Sequence, residues 1–244
     1  MVTLCHMAQA HAFFDFDDTL IEGDSILYWQ RFYYGRRPLR RVFQIANWLG
    51  LVLYSLRIID SHRLKQVFLW PLSFEKPGTL DALAAEFVRT KLVPRFYPHV
   101  WERLREHHRK GDKVVVISAS GTFYLNHLQT LLPEGSLLQG TELEWSKGFL
   151  GMPAYRDGNL RGENKIRRLH AIGLGDTGRG AYAYSDHHHD IPLLRFAEFP
   201  TCIQPTRKLR EVAQKEGWVI WDWPDARPRW RRKLESLRLL LLAV

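Results

Sequence analysis

Cysteine is scarce in this sequence of 244 residues, which contains only Cys5 and Cys202. The two are far apart and lack the spacing of metal ligands, so neither a disulfide framework nor a zinc site is expected. This scarcity suits a reducing, cytoplasmic setting. Residues 1–9 lack the basic region and long apolar core of a secretory signal, so export is not expected. The uncharged segment 42–56 is too short for a comfortable membrane span, which needs ~20 apolar residues.

Positive charge, by contrast, is in excess. The formal net charge is +9 and the pI is about 9.7, which favours contact with an anionic phosphate substrate, nucleic acid or acidic membrane surface. Charge alone does not choose among these partners. Hydrophobic residues make up 45% of the chain and charged residues 25%, as is ordinary for a packed domain, and the length fits one α/β core that carries an insertion.

Short apolar runs alternate with helical patterns, which is typical of a parallel sheet with helices on both faces. The runs predicted as strands are 11–14, 113–117, 180–184, 201–203 and 218–223. Segment 137–159 predicts irregular strands and hairpins. We therefore expect a Rossmann-like α/β core with a helical cap. The expected divisions are a discontinuous core of residues 11–24 and 96–225, a helical cap of 25–95, and a basic and apolar tail of 226–244.

Three of the predicted strands end on residues that carry chemistry, namely Asp15, Ser118 and Asp186. In an open parallel sheet, functional groups collect beyond the carboxyl ends of the strands. Lys165 begins a predicted helix that can bring an ammonium to the same edge. Two carboxylates, a hydroxyl and a cation around one point fit phosphoryl transfer.

Asp15 and Asp17 project to the same side of an extended strand end because they are two residues apart. An aspartate with a pKa near ~3.9 is ionised at neutral pH, so one carboxylate can attack phosphorus while the other moves protons. A hard divalent cation, with Asp186 as the partner carboxylate, would relieve the repulsion between these anions and a phosphate. Mg²⁺ is the expected ion.

Other residues at this edge are expected to support the phosphoryl group. The Ser118 hydroxyl and the Ala119 amide can donate hydrogen bonds to it, and Lys165 supplies a compact positive charge. Asp190, four residues after Asp186, could orient the metal shell. Each residue alone also has an ordinary interpretation as a helix cap, a turn former or a surface lysine. Their combined order at strand ends favours the functional interpretation.

The chain resembles the haloacid dehalogenase superfamily in four motifs that occur in the family's order. The motifs are Asp15-Phe-Asp-Asp-Thr19, Ser118 after Val-Val-Val-Ile, Lys165 in Gly-Glu-Asn-Lys, and Ser185-Asp186 through Asp190. Ile117-Ser-Ala-Ser120 and Asp190-Ile-Pro-Leu-Leu194 are most similar to subfamily IB, the phosphoserine-phosphatase-like group.

The resemblance implies that Asp15 forms an aspartyl-phosphate and that Asp17 is the general acid and base. It also implies that Asp15, the Asp17 carbonyl and Asp186 hold Mg²⁺. Thr19 and Asp190 would support the site.

The cap departs from the phosphoserine phosphatase pattern. Asp24 stands where that enzyme has a glutamate and Gln66 where it has an arginine, so both are candidates for the substrate side and phosphoserine is not the expected substrate. The consecutive histidines His187, His188 and His189 are given no metal role, because neighbouring side chains are expected to diverge and the family's ligands here are carboxylates.

The sequence leaves several functions open. A phosphomonoester hydrolase, a phospholipid phosphatase of the phosphatidylglycerophosphate type and a phosphotransferase or mutase share every catalytic residue. A non-enzymatic membrane-surface protein on an inactive scaffold is the remaining alternative. The expected substrate is a small phosphorylated metabolite or a lipid phosphate, and no nucleic acid is expected.

Segment 42–56 indicates either a buried cap helix or an interfacial helix. With the tail, it makes peripheral contact with the inner face of a membrane a possible role.

Overall fold

The computed structural model describes residues 9–145 and 151–224. The strands within them are β1 His11–Phe14, β2 Lys113–Gly121, β3 Leu137–Thr141, β4 Leu143–Glu144, β5 Ala154–Tyr155, β6 Tyr182–Ser185, β7 Phe199–Ile203 and β8 Val219–Trp221. Six of them form one sheet in the order β3-β2-β1-β6-β7-β8, and every pairing in it is parallel. A separate antiparallel hairpin pairs β4 with β5.

Helices connect the strands and form the insertion after β1. The α-helices are α1 Ser25–Arg36, α2 Phe43–Ser55, α3 Ser61–Leu69, α4 Pro77–Phe87, α5 Pro98–Arg109, α6 Thr122–Leu125, α7 Glu163–Ala171, α8 Ile191–Phe196 and α9 Arg207–Glu216. Short 3₁₀ turns cover Pro38–Val42, Trp70–Phe74, Val93–Arg95, Asn126–Leu131 and His188–Asp190, and a π-helical turn covers Val88–Leu92.

The central strands are apolar because both faces of the sheet are covered. Val114, Val115 and Val116 of β2 are each at most 1% exposed, as expected for β-branched residues in a parallel sheet between helices. Alternate residues enter two separate hydrophobic clusters: Phe14 joins one and Phe13 the other. The sheet therefore separates two helical layers, which confirms the predicted α/β architecture.

All five predicted strands are present, and two details differ from the prediction. Strand β2 continues beyond Ile117 to Gly121. Segment 137–159 was expected to contain only irregular strands and hairpins, but β3 joins the main sheet as a parallel edge strand beside β2. The short β4 and β5 fit the expected hairpin.

The helices α1 to α4 lie between β1 and α5, within residues 25–95, which we call the cap. Trp29 of α1 is fully buried and contacts the rings of Phe87 in the cap and of Phe123 and Tyr124 after β2. Aromatic packing thus joins the cap to the core. The predicted tail 226–244 lies outside the described residues. Within the described ranges, no helix is both long and apolar enough to cross a bilayer.

Candidate active site

Asp15 follows the last residue of β1 and meets Lys165 across the sheet edge. The Lys165 Nζ atom donates to Asp15 Oδ1 at 2.6 Å and to Asp190 Oδ2 at 2.7 Å. The Ser185 hydroxyl also donates to Asp190 Oδ2, at 2.8 Å. Charge-assisted hydrogen bonds of this kind fix the positions of their partners. The ammonium therefore holds the predicted nucleophile in one orientation.

Lys165 occupies an unusual position for a lysine, since it lies in the first turn of α7 and is 1% exposed. A cation is disfavoured near the positive end of a helix and in a buried environment. The carboxylates of Asp15 and Asp190 offset both costs. Gly162 caps the helix with φ of +59°, and a Cβ there would lie 3.3 Å from the His189 carbonyl oxygen. Glycine thus permits α7 to begin close to the motif that carries Asp190.

Asp186 follows β6 and converges on Asp15 from the neighbouring strand. The Thr19 hydroxyl lies 3.4 Å from Asp15 Oδ2 and 3.4 Å from Asp186 Oδ1. Both carboxylates are buried, at 7% and 3% exposure. The structure therefore brings Asp15, Thr19 and Asp186 together as the sequence predicts.

The Asp17 carboxylate is held by two donors. The Ser25 amide donates to Asp17 Oδ1 at 2.8 Å, and the Ser120 hydroxyl donates to Oδ2 at 2.5 Å. Ser25 Oγ lies 2.9 Å from Ser120 Oγ and 2.7 Å from the Tyr124 hydroxyl. Because Ser120 donates to Asp17, Ser25 must donate to Ser120 and Tyr124 to Ser25. We call Tyr124, Ser25 and Ser120 the hydroxyl chain.

Sequence reasoning missed the hydroxyl chain. The available signal was the spacing of Ser118 and Ser120, which places both on one side of β2, as Asp15 and Asp17 share one side after β1. The links to Ser25 and Tyr124 depend on the packing of the cap against the core. No local pattern in the sequence contains that information.

Burial raises the pKa of both predicted catalytic carboxyls, those of Asp15 and Asp17. The pKa of Asp15 is raised to about 7, mainly by desolvation and against the lowering effect of the Lys165 charge. The pKa of Asp17 is raised to about 6 by desolvation and by the charge of Asp24, while its hydrogen bonds with Ser120 and Ser25 lower it. Asp17 is thus poised near neutrality, where a group can both give and accept a proton.

Ser118 and Ala119 lie at the end of β2. Ser118 is 1% exposed, and its Oγ accepts from the Ser120 amide at 3.0 Å. Ala119 lines the cavity above Asp15, whereas Ser118 is not among the lining residues. The phosphate-binding role of the Ser118 hydroxyl therefore stays a prediction.

A cavity of about 360 Å³ opens between the sheet edge and the cap, and Asp15, Asp17, Lys165, Asp186 and Asp190 line it together with Asp24, Lys65, Arg161 and other residues. Asp24 also caps α1 by accepting from the Ile26 amide at 3.0 Å. Sequence reasoning missed Lys65 and Arg161. The Lys65 Nζ atom lies 3.4 Å from the Ala119 carbonyl oxygen, which places it beside the end of β2.

Gln66, the other predicted substrate-side residue, is directed away from this cavity. Its Nε2 atom donates to the Pro153 carbonyl at 3.0 Å, and its Oε1 accepts from Arg63. Its side chain is buried and does not line the cavity. Lys65, one residue earlier on α3, occupies the position facing the site.

The three consecutive histidines do not diverge as expected. A 3₁₀ turn at His188 folds the chain, and the three ring centroids lie 4.2 to 4.6 Å apart. The expected divergence is wrong because this turn brings the three rings to one side. Burial lowers the pKa of His187 to about 3 and that of His189 to about 4. Both line the cavity as neutral imidazoles.

The donor set at the sheet edge fits a hard divalent cation. Asp15 Oδ2 and Asp186 Oδ1 lie within 3.4 Å of one hydroxyl, so two carboxylate oxygens face a common point. Oxygen-only sites with carboxylates are those that Mg²⁺ prefers. Lys165 neutralises the other oxygen of Asp15 without approaching as a metal ligand.

Comparison with known proteins places this geometry in context. A family model described as haloacid dehalogenase-like hydrolase matches residues 12–195. The chain is similar to a histidinol-phosphatase of Neisseria meningitidis, at 25% identity over 219 residues that cover 87% of this chain and 98% of the relative. It is also similar to a phosphoserine phosphatase of Mycobacterium tuberculosis, at 26% identity over 228 residues that cover 89% of this chain and 72% of the relative.

Solved structures show the same fold. A protein of unknown function from Bordetella pertussis matches with a TM-score of 0.72 at 25% identity, over 88% of this chain and 98% of that one. A phosphoserine phosphatase solved as an analogue of its phospho-aspartyl intermediate matches with a TM-score of 0.56 at 15% identity, over 87% of this chain and 92% of that one. At 15% identity the likeness concerns the fold alone.

Proposed function

Because the chain belongs to the haloacid dehalogenase-like hydrolase family, we propose that it is a magnesium-dependent phosphomonoester hydrolase that acts through phosphorylation of Asp15. The observation that carries this proposal is the buried contact of Lys165 with Asp15 and Asp190, 2.6 and 2.7 Å long, at the base of the cavity. This contact favours the ionised form of Asp15 against the effect of burial and orients the carboxylate where a phosphoryl group can enter.

In the first step, a carboxylate oxygen of Asp15 attacks phosphorus and the bond from phosphorus to the ester oxygen breaks. Asp17, protonated near its raised pKa of about 6, gives its proton to the leaving oxygen. Lys165 and the Ser118–Ala119 loop contact the phosphoryl oxygens and stabilise their charge. The product is an acyl phosphate on Asp15 and a free alcohol.

In the second step, water attacks the phosphorylated Asp15 and Asp17 accepts the proton of that water. The bond from phosphorus to the Asp15 oxygen breaks, which releases inorganic phosphate and restores the carboxylate. Asp15, the Asp17 carbonyl and Asp186 would hold Mg²⁺. When bound, this ion neutralises negative charge on the phosphoryl group and the carboxylates.

The substrate side of the cavity carries charges of both signs. Burial raises the pKa of Asp24, and the charges of Lys65 and Arg161, which line the same cavity, partly offset that rise. A phosphate ester of a small polar metabolite suits this lining, and the relatives named as histidinol and phosphoserine phosphatases act on molecules of that kind. A lipid phosphate is the second candidate, because Leu51 and Tyr54 of α2 also line the cavity.

The test is phosphate release from a panel of metabolite and lipid phosphates with and without Mg²⁺. Asp15→Asn should lower turnover by at least ~10³-fold, and an acid-stable phosphoenzyme label should disappear with it. Asp81→Asn, an exposed carboxylate on α4, is the matched control and should leave turnover unchanged. EDTA should abolish activity and added Mg²⁺ restore it.

Near-normal phosphate release by folded Asp15→Asn would refute the mechanism. Transfer of phosphate only to an added alcohol, with none to water, would identify a phosphotransferase instead.

A further inference from the structure

Helix α2 of the cap has its apolar side chains on the outside. Three outward residues of the helix and the two residues that flank it, spaced three and four apart, are 50 to 72% exposed. We call them the α2 stripe: Val42, Ile45, Leu49, Val52 and Leu56. Only Asn47 and Gly50 of the helix are buried. An ordinary surface helix has the opposite arrangement, with its apolar face toward the core.

The orientation of α2 is fixed by its inner contacts. Asn47 Nδ2 donates to Gln30 Oε1 and to the Tyr34 hydroxyl, both at 3.0 Å. At Gly50, an added Cβ would lie only 3.3 Å from the side chains of Leu64 and Val67 on α3. Rotating the helix would bury the stripe but would break these contacts. Among the described residues, the stripe remains exposed.

The ends of the stripe are cationic. Residues 42–56 contain no ionisable side chain except Tyr54, and Arg41 and Arg57 flank them. Both arginines are exposed, and neither has a carboxylate partner within the described part of the chain. Arg37 and Arg40, by contrast, are paired with Glu75. An uncharged apolar band between unpaired cations matches the surface of an anionic bilayer.

The charge pattern disfavours a second copy of the chain as the occupant. A symmetric pair places the same patch on both subunits, so two antiparallel α2 helices would set Arg41 of one copy near Arg57 of the other. Two parallel helices would set like ends together. The stripe offers no carboxylate to compensate either arrangement. Anionic lipid headgroups supply the missing charge.

The length of α2 determines whether it can span a bilayer or only lie at its surface. Its 13 residues are ~20 Å long, whereas the hydrocarbon core is ~30 Å thick. A helix of this length is too short to span the core and suits the interface, where its stripe would lie among the acyl chains and its arginines at the headgroups.

We propose that the α2 stripe docks this protein on an anionic bilayer surface. Leu51 and Tyr54, which belong to the same helix but not to the stripe, line the catalytic cavity. Docking therefore brings the mouth of the cavity to the membrane and makes a phosphate ester embedded there a favoured substrate. This substrate preference rests on the proposed function, whereas the docking surface does not.

The experiment is co-sedimentation of the full chain with vesicles of phosphatidylcholine alone or with added phosphatidylglycerol. The protein should bind the anionic vesicles and bind the neutral ones much less. Ile45→Glu with Leu49→Glu should weaken binding at least about tenfold, since both side chains would leave the acyl region. Arg41→Gln and Arg57→Gln should each weaken it about fivefold.

The matched control is Leu131→Glu with Val219→Glu, which adds the same charge at exposed apolar positions outside the cap and should bind more nearly like wild type. Hydrolysis of a soluble monoester should be the same in both double variants, so failure of docking and failure of the proposed chemistry are separable.

Three outcomes would overturn the docking surface. One is a wild type that ignores anionic vesicles. Another is a wild-type dimer, by light scattering, that Ile45→Glu with Leu49→Glu converts to monomer, since a second copy then covers the stripe. The third is vesicle binding that is lost when residues 225–244 are deleted but unchanged by Ile45→Glu with Leu49→Glu, because that segment and not the stripe would then bind lipid.

Discussion

The sheet edge and helix α2 both reverse the usual placement of side chains, the edge by burying charged groups and α2 by exposing apolar ones. At the edge, the charged groups of Asp15, Lys165 and Asp190 are buried and paired with one another. On α2, apolar groups face outward while Asn47 is buried. Both arrangements cost stability in an isolated protein. Each is understandable if another molecule completes it, a phosphate at the edge and a membrane at the helix.

The largest combined effect on turnover and stability should come from Lys165→Met, which keeps much of the side-chain length and removes the charge. Turnover should fall ~10²–10³-fold because the phosphoryl group loses a cation, and stability should fall by ~3 kcal/mol because Asp15 and Asp190 lose their partner. Steady-state kinetics and urea unfolding measure the two effects. Lys215→Met, exposed on α9, is the control, and equal behaviour of both variants would contradict the buried pairing.

The sequence predicts which residues lie at the sheet edge, but it does not predict how deeply they are buried. Apolar runs that stop at Asp15, Ser118 and Asp186 are local signals, and parallel pairing converts them into a common edge. The burial of Lys165 has no such local signal. A lone lysine in a helical pattern suggests a surface position, and only the convergence of two carboxylates makes its burial tolerable.

The cap was less predictable for a physical reason. Segment 42–56 carries a narrow polar stripe on a wide apolar surface, and periodicity alone does not say which side faces the core. Asn47 faces inward because Gln30 and Tyr34 of α1 present partners for its amide. The orientation of Gln66 was unpredictable for the same reason, because it depends on a contact with Pro153, which is distant in the sequence.

A second effect concerns pH in the metal-free protein. The folded pKa of Asp15 is raised to about 7 from 3.8, so between these values the folded state holds a proton that the unfolded state has lost. The contribution of Asp15 to stability therefore falls as pH rises from about 4 to 7. The lowered pKa values of His187 and His189 oppose this trend at the acidic end.

The contribution of the histidines cancels when the free energy of unfolding of the Asp15→Asn variant is subtracted from that of wild type at each pH, because both proteins contain them. In EDTA, wild type should lose roughly 1 to 3 kcal/mol relative to Asp15→Asn between pH 5 and pH 8. Urea unfolding at several pH values measures the difference. A difference that does not change with pH would contradict the raised pKa.

A third effect tests the hydroxyl chain. Ser120→Ala removes the hydrogen bond that stabilises the Asp17 anion left after proton transfer. The transfer to the leaving oxygen should then be less favourable, and turnover of an alkyl phosphate should fall about tenfold. Turnover of p-nitrophenyl phosphate should change little, because its leaving group is stable as an anion. Ser136→Ala, a buried hydroxyl outside the site, is the control. Equal losses on both substrates would indicate a general structural defect.

The smallest effect separates α2 from an ordinary amphipathic helix. Asn47→Ala removes two hydrogen bonds and leaves the buried Gln30 oxygen without its donor, which should cost about 1 to 2 kcal/mol. The cost stays modest because Asn47 Oδ1 already has no hydrogen-bond partner within the described structure.

Ile45→Ala, on the outward face, should change stability by less than ~0.5 kcal/mol, since little apolar contact is lost. In a helix that buries its apolar face, truncating the isoleucine would be the more damaging change. Urea unfolding of the two variants in the absence of lipid therefore reads the orientation of α2 directly, and a greater loss at Ile45 would show that the stripe is covered in solution.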